Sequence, residues 1–350
     1  MRAVVVTAGQ ANSVRLIEDA PEPRPDEGAV LVEALAVGVC GTDREIIAAD
    51  YGTAPPGTDQ LILGHESLGR VVDDPTGTLR EGDLVAGIVR QPDPVPCPNC
   101  AVGEWDMCRN GRYTEHGIKG LPGFARDRWR IAPEFAIRLD AGLVGVGVLL
   151  EPTSVVAKAW DHIERVGSRS HWAPRVALVT GAGPIGLLAA LLATQRGLEV
   201  HVLDRVTDGP KPMLVTELGA TYHTDRVPDL DIDPDVIVEC TGAPTVVVEV
   251  IDKVAPAGVV CLAGVSAIGG EVEYAAGSLN RAVVLENNVI FGSVNANRRH
   301  WTAAAGALEV ADQTWLAKLI TRRVPVQSYA DAYVRRDDDV KVVMEFAPST

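Results

Sequence analysis

A glycine-rich turn in the middle of the chain constrains the fold more than any other feature. The apolar run 176–180 leads into the sequence GAGPIG at 181–186, then into an apolar segment and the run 199–203, which ends at Asp204. A short strand, a G-x-G-x-x-G turn, a helix and a second strand ending in an acid are together typical of a dinucleotide-binding βαβ unit. We therefore predict a bound nicotinamide dinucleotide. A flavin is disfavoured because a long, separate N-terminal region precedes the motif.

Each residue of this turn has a physical task. Gly181 permits the tight turn, Gly183 lets a pyrophosphate approach the backbone, and Gly186 lets helix and strand pack closely. Asp204, 18 residues beyond Gly186, is placed to accept hydrogen bonds from the adenosine ribose. Its charge repels a 2′-phosphate, so we predict a preference for NAD, with NADP partly accommodated by Arg205. The predicted cofactor-binding residues of this unit are Gly181, Gly183, Pro184, Ile185, Gly186, Asp204 and Arg205.

Composition narrows the choice of partners and compartment. The chain has 350 residues and a formal net charge of −15, which argues against nucleic acid or an anionic membrane surface as a partner. The N-terminus lacks the apolar core of a signal peptide, and no apolar run is long enough to cross a bilayer. We expect a cytoplasmic protein, in which six cysteines serve as metal ligands or core thiols rather than as disulfides.

The chain divides into two patterns. Up to about residue 150, short β-branched runs alternate with Pro, Gly and Asp, which predicts a β-rich domain. From Glu151 onward, helices alternate with apolar strands, which predicts an α/β domain with a doubly wound parallel sheet. The tail is predicted to end in a strand over 340–346 that returns to the N-terminal domain. The other predicted strands are 3–7, 29–37, 67–72, 84–89, 176–180, 199–203, 220–223, 235–239, 258–263 and 289–294, and the predicted helices are 153–165, 184–197, 210–218 and 244–254.

Residues of the N-terminal region have the chemistry of zinc ligands. Cys40, His65, Glu66 and Glu151 offer a thiolate, an imidazole and carboxylates, and a catalytic zinc keeps one coordination position open for substrate. Because these residues are far apart in sequence, spacing alone leaves purely structural roles open. Cys40 could be a buried thiol, His65 a core histidine and Glu151 a helix N-cap.

A second group of ligand-type residues is more compact. Cys97 and Cys100 have C-x-x-C spacing, and Cys108 follows eight residues later, as in a structural zinc site. A fourth cysteine is missing, and a reduced or redox-active thiol cluster remains the alternative. Other donors lie nearby in sequence, namely Asp93, Glu104, Glu115 and His116.

Together these motifs resemble the zinc-dependent medium-chain dehydrogenases, and within them the microbial and archaeal glucose dehydrogenases. The resemblance covers essentially the whole chain. It implies a GroES-like catalytic domain over 1–152 and 298–350, and a Rossmann domain over 153–297. The motifs that carry it are Cys40-Gly41-Thr42-Asp43, Gly64-His65-Glu66, the cysteine lobe at 97–108, Glu151-Pro152 and the GAGPIG turn.

The resemblance also implies a role for each matching residue. Cys40, His65, Glu66 and Glu151 would hold the catalytic zinc, and Asp43 would orient one of them. Thr42 would relay the proton of the substrate hydroxyl, and Glu151 would also contact the substrate. Sugar hydroxyls would be bound by Glu115 and His300, and Asn295 would lie against the nicotinamide. The implied reaction is oxidation of a sugar or polyol hydroxyl, glucose-like at C1, by NAD(P).

Two departures from the family pattern leave alternatives open. Pro94 stands where the family's first lobe cysteine would be, so the structural zinc either takes a substituted fourth ligand or is absent. Arg126, Arg128 and Arg130 alternate along a predicted strand, and we expect them to face solvent. If they instead face the substrate pocket, they favour a biosynthetic enzyme for a cyclitol, amino sugar or nucleoside.

A non-catalytic NAD-binding protein is a further alternative, which the full ligand set disfavours. Family analogy implies a homo-oligomer, dimer or tetramer, with the apolar region 283–294 as a candidate interface.

Overall fold

The computed structural model of the chain describes residues 1–266 and 270–347. The chain forms two compact units. Unit 1 comprises residues 1–151 together with 296–350, and unit 2 comprises residues 152–295. The domain boundaries expected from the sequence, 152/153 and 297/298, lie within two residues of these divisions. The last residues of unit 1 and the segment 267–269 of unit 2 lie outside the described residues.

The elements follow the predicted order closely. The strands are β1 (Ala3–Thr7), β2 (Arg15–Ile17), β3 (Val30–Val39), β4 (Gln60–Ile62), β5 (Glu66–Asp73), β6 (Leu84–Gly87), β7 (Arg90–Gln91), β8 (Thr114–His116), β9 (Gly120–Leu121), β10 (Arg128–Ile131), β11 (Ala136–Leu139), β12 (Val176–Thr180), β13 (Glu199–Leu203), β14 (Thr221–His223), β15 (Val236–Glu239), β16 (Val259–Leu262), β17 (Val289–Gly292), β18 (Ile320–Pro325) and β19 (Lys341–Glu345). The α-helices are α1 (Gly41–Ile47), α2 (Pro98–Ala101), α3 (Leu150–Gly167), α4 (Pro184–Gln195), α5 (Pro210–Glu217), α6 (Pro244–Lys253), α7 (Ala276–Leu285), α8 (Arg298–Glu309), α9 (Gln313–Leu319) and α10 (Tyr329–Tyr333).

Unit 1 is built around a sheet in the order β11-β6-β5-β3-β19-β18, with β10 also paired to β3. The long strand β3 therefore holds partners from early, middle and late parts of the chain. The predicted return of the tail is confirmed, because β19 pairs antiparallel with β3, from Val342 opposite Val39 to Glu345 opposite Ala36. Two three-stranded sheets complete the unit: β2-β1-β4 is antiparallel, whereas in β7-β8-β9 the strand β8 pairs antiparallel with β7 and parallel with β9.

A helix interrupts the region that the sequence pattern predicts to be β-rich. α1 begins directly after Cys40, and the Asp43 carboxylate accepts a hydrogen bond of 2.8 Å from the backbone N–H of Cys40. A carboxylate at the third helical position stabilises a helix start in this way. The helix is only seven residues long, too short for its apolar periodicity to stand out in the sequence.

The arginine-rich segment does not form the solvated face that the sequence suggests. Arg126 is 3% exposed and pairs with Glu27 at 2.7 Å, and Arg130 donates to the carbonyls of Gly28 and Ala29. The prediction of a solvated face is therefore wrong for Arg126, and it holds for the exposed Arg128. Because these guanidinium groups bind the segment 22–29, the charges anchor one loop of unit 1. Arg126 and Arg130 therefore give no reason to expect a substrate pocket of unusual charge.

Unit 2 is a doubly wound α/β domain, as predicted. Its parallel sheet has the order β14-β13-β12-β15-β16-β17, so the strand order reverses between β12 and β15. A ligand of such a sheet binds at the carboxyl ends of the strands beside this reversal. Buried aliphatic residues, among them Leu178, Ile237 and Val260, form the core against the helices.

The apolar helix α4 is explained by burial within this unit. Its residues 186–193 are all buried, so the run that is apolar all round packs inside the domain. Across residues 1–266 and 270–347, no helix combines the length and apolar character that a membrane crossing requires.

His116 generates a testable pH dependence of stability. Its ring is 5% exposed, stacks on Phe124 with 4.7 Å between centroids, and donates from Nδ1 to the Pro122 carbonyl at 2.9 Å. Burial lowers the pKa of His116 from 6.5 to about 4. The unfolded chain therefore binds a proton more readily than the folded chain, and stability is lost as pH falls from 6.5 toward 4, by up to about 3 kcal/mol.

We expect His116→Asn, which keeps a donor near the Pro122 carbonyl, to remove this part of the pH dependence. The measurement is urea unfolding of wild type and variant between about pH 7 and about pH 4.5. The variant loses less free energy of unfolding on acidification than wild type. Equal losses in the two proteins would contradict the assignment.

Candidate active site

Three of the predicted ligands meet in unit 1. Cys40 ends the turn between β3 and α1, while His65 and Glu66 lie where β5 begins. One donor atom of each lies within 4.8 Å of the donor atoms of the other two. Residues about 25 positions apart in sequence are therefore brought together by the pairing of β3 with β5, in which Gly38 faces Glu66.

The chemistry of this cluster fits zinc. A thiolate, an imidazole and a carboxylate are the donors that Zn²⁺ takes in catalytic sites. The Nδ1 atom of His65 lies 3.5 Å from a carboxylate oxygen of Asp43, which leaves Nε2 for the metal. Burial alone would lower the pKa of His65, but Asp43 and Cys40 raise it well above its ordinary value. That excess of negative charge around the ring is what a bound cation would neutralise.

Glu66 is held by a lysine that the sequence analysis missed. The Lys341 ammonium contacts Oε2 of Glu66 and donates to the carbonyl of Val39 at 3.2 Å. Both side chains are 2% exposed, so the pair is buried. Gly38 gives the carboxylate its room, because a Cβ at that position would overlap Oε2 of Glu66. A lysine at the start of an apolar strand carries no local signal of this role.

Glu151 and Thr42 lie at the same cluster. Desolvation raises the pKa of Glu151 to about 7, and the neighbouring charge of Glu66 adds to this effect. Glu151 lies in the first turn of α3, and its electrostatic neighbours include Glu66, His65 and Lys341 at the ligand cluster. The Thr42 hydroxyl lies 4.0 Å from Sγ of Cys40. Unit 1 thus gathers every residue that the sequence assigns to the catalytic metal.

The two residues predicted to bind sugar are buried in the same unit. Glu115 accepts a hydrogen bond of 2.9 Å from Nε of Arg90, and Arg90 lies 3.7 Å above the centre of the Tyr113 ring. The turn after Glu115 reaches the metal ligands, since a Cβ on Gly117 would overlap the backbone of Gly64, the neighbour of His65. His300 lies in the first turn of α8 and is 2% exposed.

The cysteine lobe brings three thiols together. Donor atoms of Cys97, Cys100 and Cys108 lie within 4.8 Å of one another. Hydrogen bonds from the backbone N–H groups of Arg109 and Cys100 lower the pKa of Cys97 to about 6, which favours a thiolate at neutral pH. The Asp93 carboxylate accepts from Val95, Asn110 and Arg112 instead. The group of metal donors within the described residues therefore has three members here.

The glycine-rich turn of unit 2 has the geometry that a pyrophosphate needs. Gly181 adopts φ +90°, and a Cβ on Gly186 would overlap the Gly181 carbonyl oxygen. A Cβ on Gly183 would meet no atom within 4 Å, so this side of the turn is open. Pro184 and Ile185 begin α4, whose first N–H groups lie at the turn.

Asp204 directly follows β13, and it has a partner that the sequence did not reveal, Lys211. Its carboxylate accepts hydrogen bonds from the N–H groups of Ala182, at 2.7 Å, and Val206, and contacts Lys211 Nζ at 3.0 Å. Burial would raise the pKa of Asp204, but Ala182 and Lys211 lower it, so the group stays ionised. Arg205 is exposed beside it, and Asn295 adopts φ +60° at the end of unit 2.

Comparison with known proteins identifies the family of the chain. Residues 26–140 match the alcohol dehydrogenase GroES-like domain, and residues 144–346 match the glucose dehydrogenase C-terminus. The chain is 42% identical to glucose 1-dehydrogenase 2 of Vulcanisaeta moutnovskia over 100% of both chains. It is also 42% identical to the glucose 1-dehydrogenase of Thermoproteus tenax over 99% of both.

Solved structures give the same result. Haloferax mediterranei glucose dehydrogenase, in complex with NADP, Zn and gluconolactone, superposes with a TM-score of 0.92 at 34% identity, covering 99% of this chain and 100% of that one. L-idonate 5-dehydrogenase of Escherichia coli shares the fold at 19% identity, with a TM-score of 0.80 and coverage of 99% and 98%. The chain belongs to the zinc-dependent medium-chain dehydrogenases, in their glucose dehydrogenase branch.

The ligand cluster generates a prediction on metal content. We expect wild type to hold two zinc ions per chain, and Cys40→Ala or His65→Ala to hold one and to lose turnover, because three remaining donors bind a catalytic zinc weakly. NAD binding should be nearly unchanged. Metal analysis, initial rates and cofactor fluorescence titration measure these effects.

Cys261→Ala is the matched control, since it removes a buried thiol that lies outside the donor clusters of unit 1. It should keep both metal ions and its activity. Retained turnover in the Cys40 or His65 variant would refute the ligand assignment.

Proposed function

We propose that this protein oxidises the C1 hydroxyl of glucose or a related aldose to the lactone, with NAD(P) as hydride acceptor. One observation carries the proposal: the zinc-type cluster of Cys40, His65 and Glu66 shares unit 1 with the buried polar residues Glu115 and His300. A cluster of this kind acts on a hydroxyl, and buried hydrogen-bonding groups beside it suit a substrate with several hydroxyls. Membership of the glucose dehydrogenase branch supports the same conclusion.

The residues of the cluster have distinct tasks in this reaction. Cys40, His65, Glu66 and Glu151 would hold zinc, which when bound lowers the pKa of the substrate hydroxyl and stabilises its alkoxide. Thr42, beside Cys40, receives the hydroxyl proton and passes it outward. With NAD(P) bound as acceptor, the C1 hydrogen would be transferred as a hydride and the C1–O bond would become the lactone carbonyl. Glu115 and His300 hold the other hydroxyls so that C1 alone meets the metal.

In unit 2, the proposed cofactor site uses the open turn at Gly183 for the pyrophosphate and Asp204 for the adenosine ribose. Arg205 and Lys211 partly offset the Asp204 charge, and Asn295 contacts the nicotinamide. We infer that NAD is preferred and that NADP is also used.

Two further assignments belong to this proposal. The thiols of Cys97, Cys100 and Cys108 hold a second zinc that fixes the lobe.

The protein forms a homo-oligomer through the region 283–294. β17 is the last strand of the unit 2 sheet, and Val284 and Leu285 on α7 are each 63% exposed. Light scattering after size-exclusion chromatography distinguishes dimer from tetramer, and a monomer would contradict the assignment.

The decisive experiment follows nicotinamide reduction by the zinc-replete enzyme with glucose, other aldoses, inositols and a nucleoside. We expect turnover on glucose or a close aldose. Turnover on a cyclitol or nucleoside, with none on any aldose, would assign a biosynthetic role within the same family. Tight NAD binding without turnover on any substrate would overturn the enzymatic proposal.

Cofactor choice gives a separate prediction. We expect wild type to show a higher kcat/KM with NAD than with NADP, because the ionised Asp204 repels a 2′-phosphate. Asp204→Gly should shift this ratio toward NADP by about tenfold or more, since it removes the repulsion and leaves Arg205 and Lys211 available. Lys211→Met is the contrasting variant and should shift the ratio toward NAD. A wild-type ratio in favour of NADP would contradict the preference.

A further inference from the structure

The cysteine lobe carries a buried carboxylate that the mechanism does not use. Asp106 lies in the turn Trp105–Met107, between Cys100 and Cys108, and is 4% exposed. An ionised group at such a position needs hydrogen-bonding partners. Both its side chain and its backbone carbonyl bind groups that lead to the proposed sugar-binding residues.

The side chain reaches the start of α8. Oδ1 of Asp106 accepts a hydrogen bond of 2.8 Å from Nδ2 of Asn297, and Oδ2 lies 3.9 Å from Nδ1 of His300. Asn297 in turn donates its backbone N–H to Nδ1 of His300 at 3.2 Å. Since Nδ1 accepts this bond, the neutral His300 ring carries its proton on Nε2.

The backbone of the same residue reaches the other sugar-binding group. The Asp106 carbonyl accepts a hydrogen bond of 3.2 Å from Nη1 of Arg90, and Nε of that arginine donates to Glu115 at 2.9 Å. Arg90, Asp106, Glu115 and His300 are all buried in unit 1. Asp106 is therefore connected to both proposed sugar-binding residues, to His300 through its carboxylate and Asn297, and to Glu115 through its carbonyl and Arg90.

We propose that Asp106 is a positioning residue for substrate: its carboxylate holds Asn297, whose backbone N–H orients the His300 ring, and its carbonyl supports Arg90, which in turn binds Glu115. This inference rests on the proposed sugar-oxidising function. It gives the cysteine lobe a task beyond stability, because the turn that carries Asp106 lies between Cys100 and Cys108.

A double-mutant cycle separates positioning from general stability. Asp106→Ala should raise KM for glucose about tenfold, the worth of a hydrogen bond to a charged group, with kcat changed less and NAD affinity unchanged. In a His300→Ala background the same change should have little further effect, because its target is gone. In a Glu115→Gln background it should keep its full effect, since the Arg90 contact uses the Asp106 carbonyl.

Two further variants serve as a control and as an independent test of the Asp106–Asn297 contact. Glu104→Gln breaks the other tie between this loop and α8, an ion pair of 2.9 Å with Arg299, and should leave KM unchanged. Asn297→Ser keeps a side-chain oxygen for the helix cap but loses the amide donor to Asp106, and should reproduce part of the KM increase. If Asp106→Ala folds poorly, Asp106→Asn and Asn297→Ser carry the test.

The outcomes are distinct. An unchanged KM in the Asp106 variants, equal effects of Asp106→Ala in the His300 and Glu115 backgrounds, or an equal KM increase in Glu104→Gln would overturn the proposal. Wild-type turnover on glucose tests the proposed function separately. Nitrogen-15 spectra of histidine-labelled protein test positioning without turnover: Asp106→Ala, which removes the acceptor of the Asn297 amide, should shift the ring nitrogen signals of His300, and an unchanged spectrum would refute the role of the carboxylate.

Discussion

The buried pair of Lys341 and Glu66 is the interaction on which the ligand cluster of unit 1 depends. A carboxylate removed from water must be paired, bound to a metal or protonated. The lysine that pairs with it comes from β19, which joins the sheet beside β3 after the whole of unit 2 has been traversed. The carboxylate of Glu66 is therefore paired only when Lys341, from the end of the chain, joins the same sheet. This pairing links the two segments of the discontinuous unit 1.

The reliance of site residues on partners far away in sequence limits what could be predicted from the sequence. The strands, helices and βαβ order follow from local periodicity, and the metal donors Cys40, His65 and Glu66 follow from residue chemistry. The side chains that pair with or orient the site residues cannot be predicted in this way. Lys341, Arg90 and Asp106 act through partners far away in sequence, and an isolated charge in a strand or turn has the same local signature whether it is buried or solvated.

Arg126 shows how a reasonable pattern rule fails. Alternating charges along a strand normally indicate a solvent-facing side, because burying a guanidinium is costly. Here Glu27 lies nearly 100 residues earlier and supplies the compensating charge at 2.7 Å. The helix α1 was missed for a related reason, since its start depends on one carboxylate, that of Asp43, rather than on periodicity. In both cases a single specific contact outweighs the average tendency.

The protein groups that hydrogen-bond Glu115 and His300 also explain why such a site would prefer a polyhydroxyl substrate to a simple alcohol. Arg90 bonds Glu115, and the Asn297 N–H bonds His300, so each proposed sugar-binding group has one side fixed by protein. Fixed groups lose little conformational entropy on binding and cannot turn away to find other partners. A substrate without matching hydroxyls would form fewer hydrogen bonds with these groups and would bind more weakly. Selectivity of this kind arises from the rigidity of the surrounding network as much as from the residues that touch the sugar.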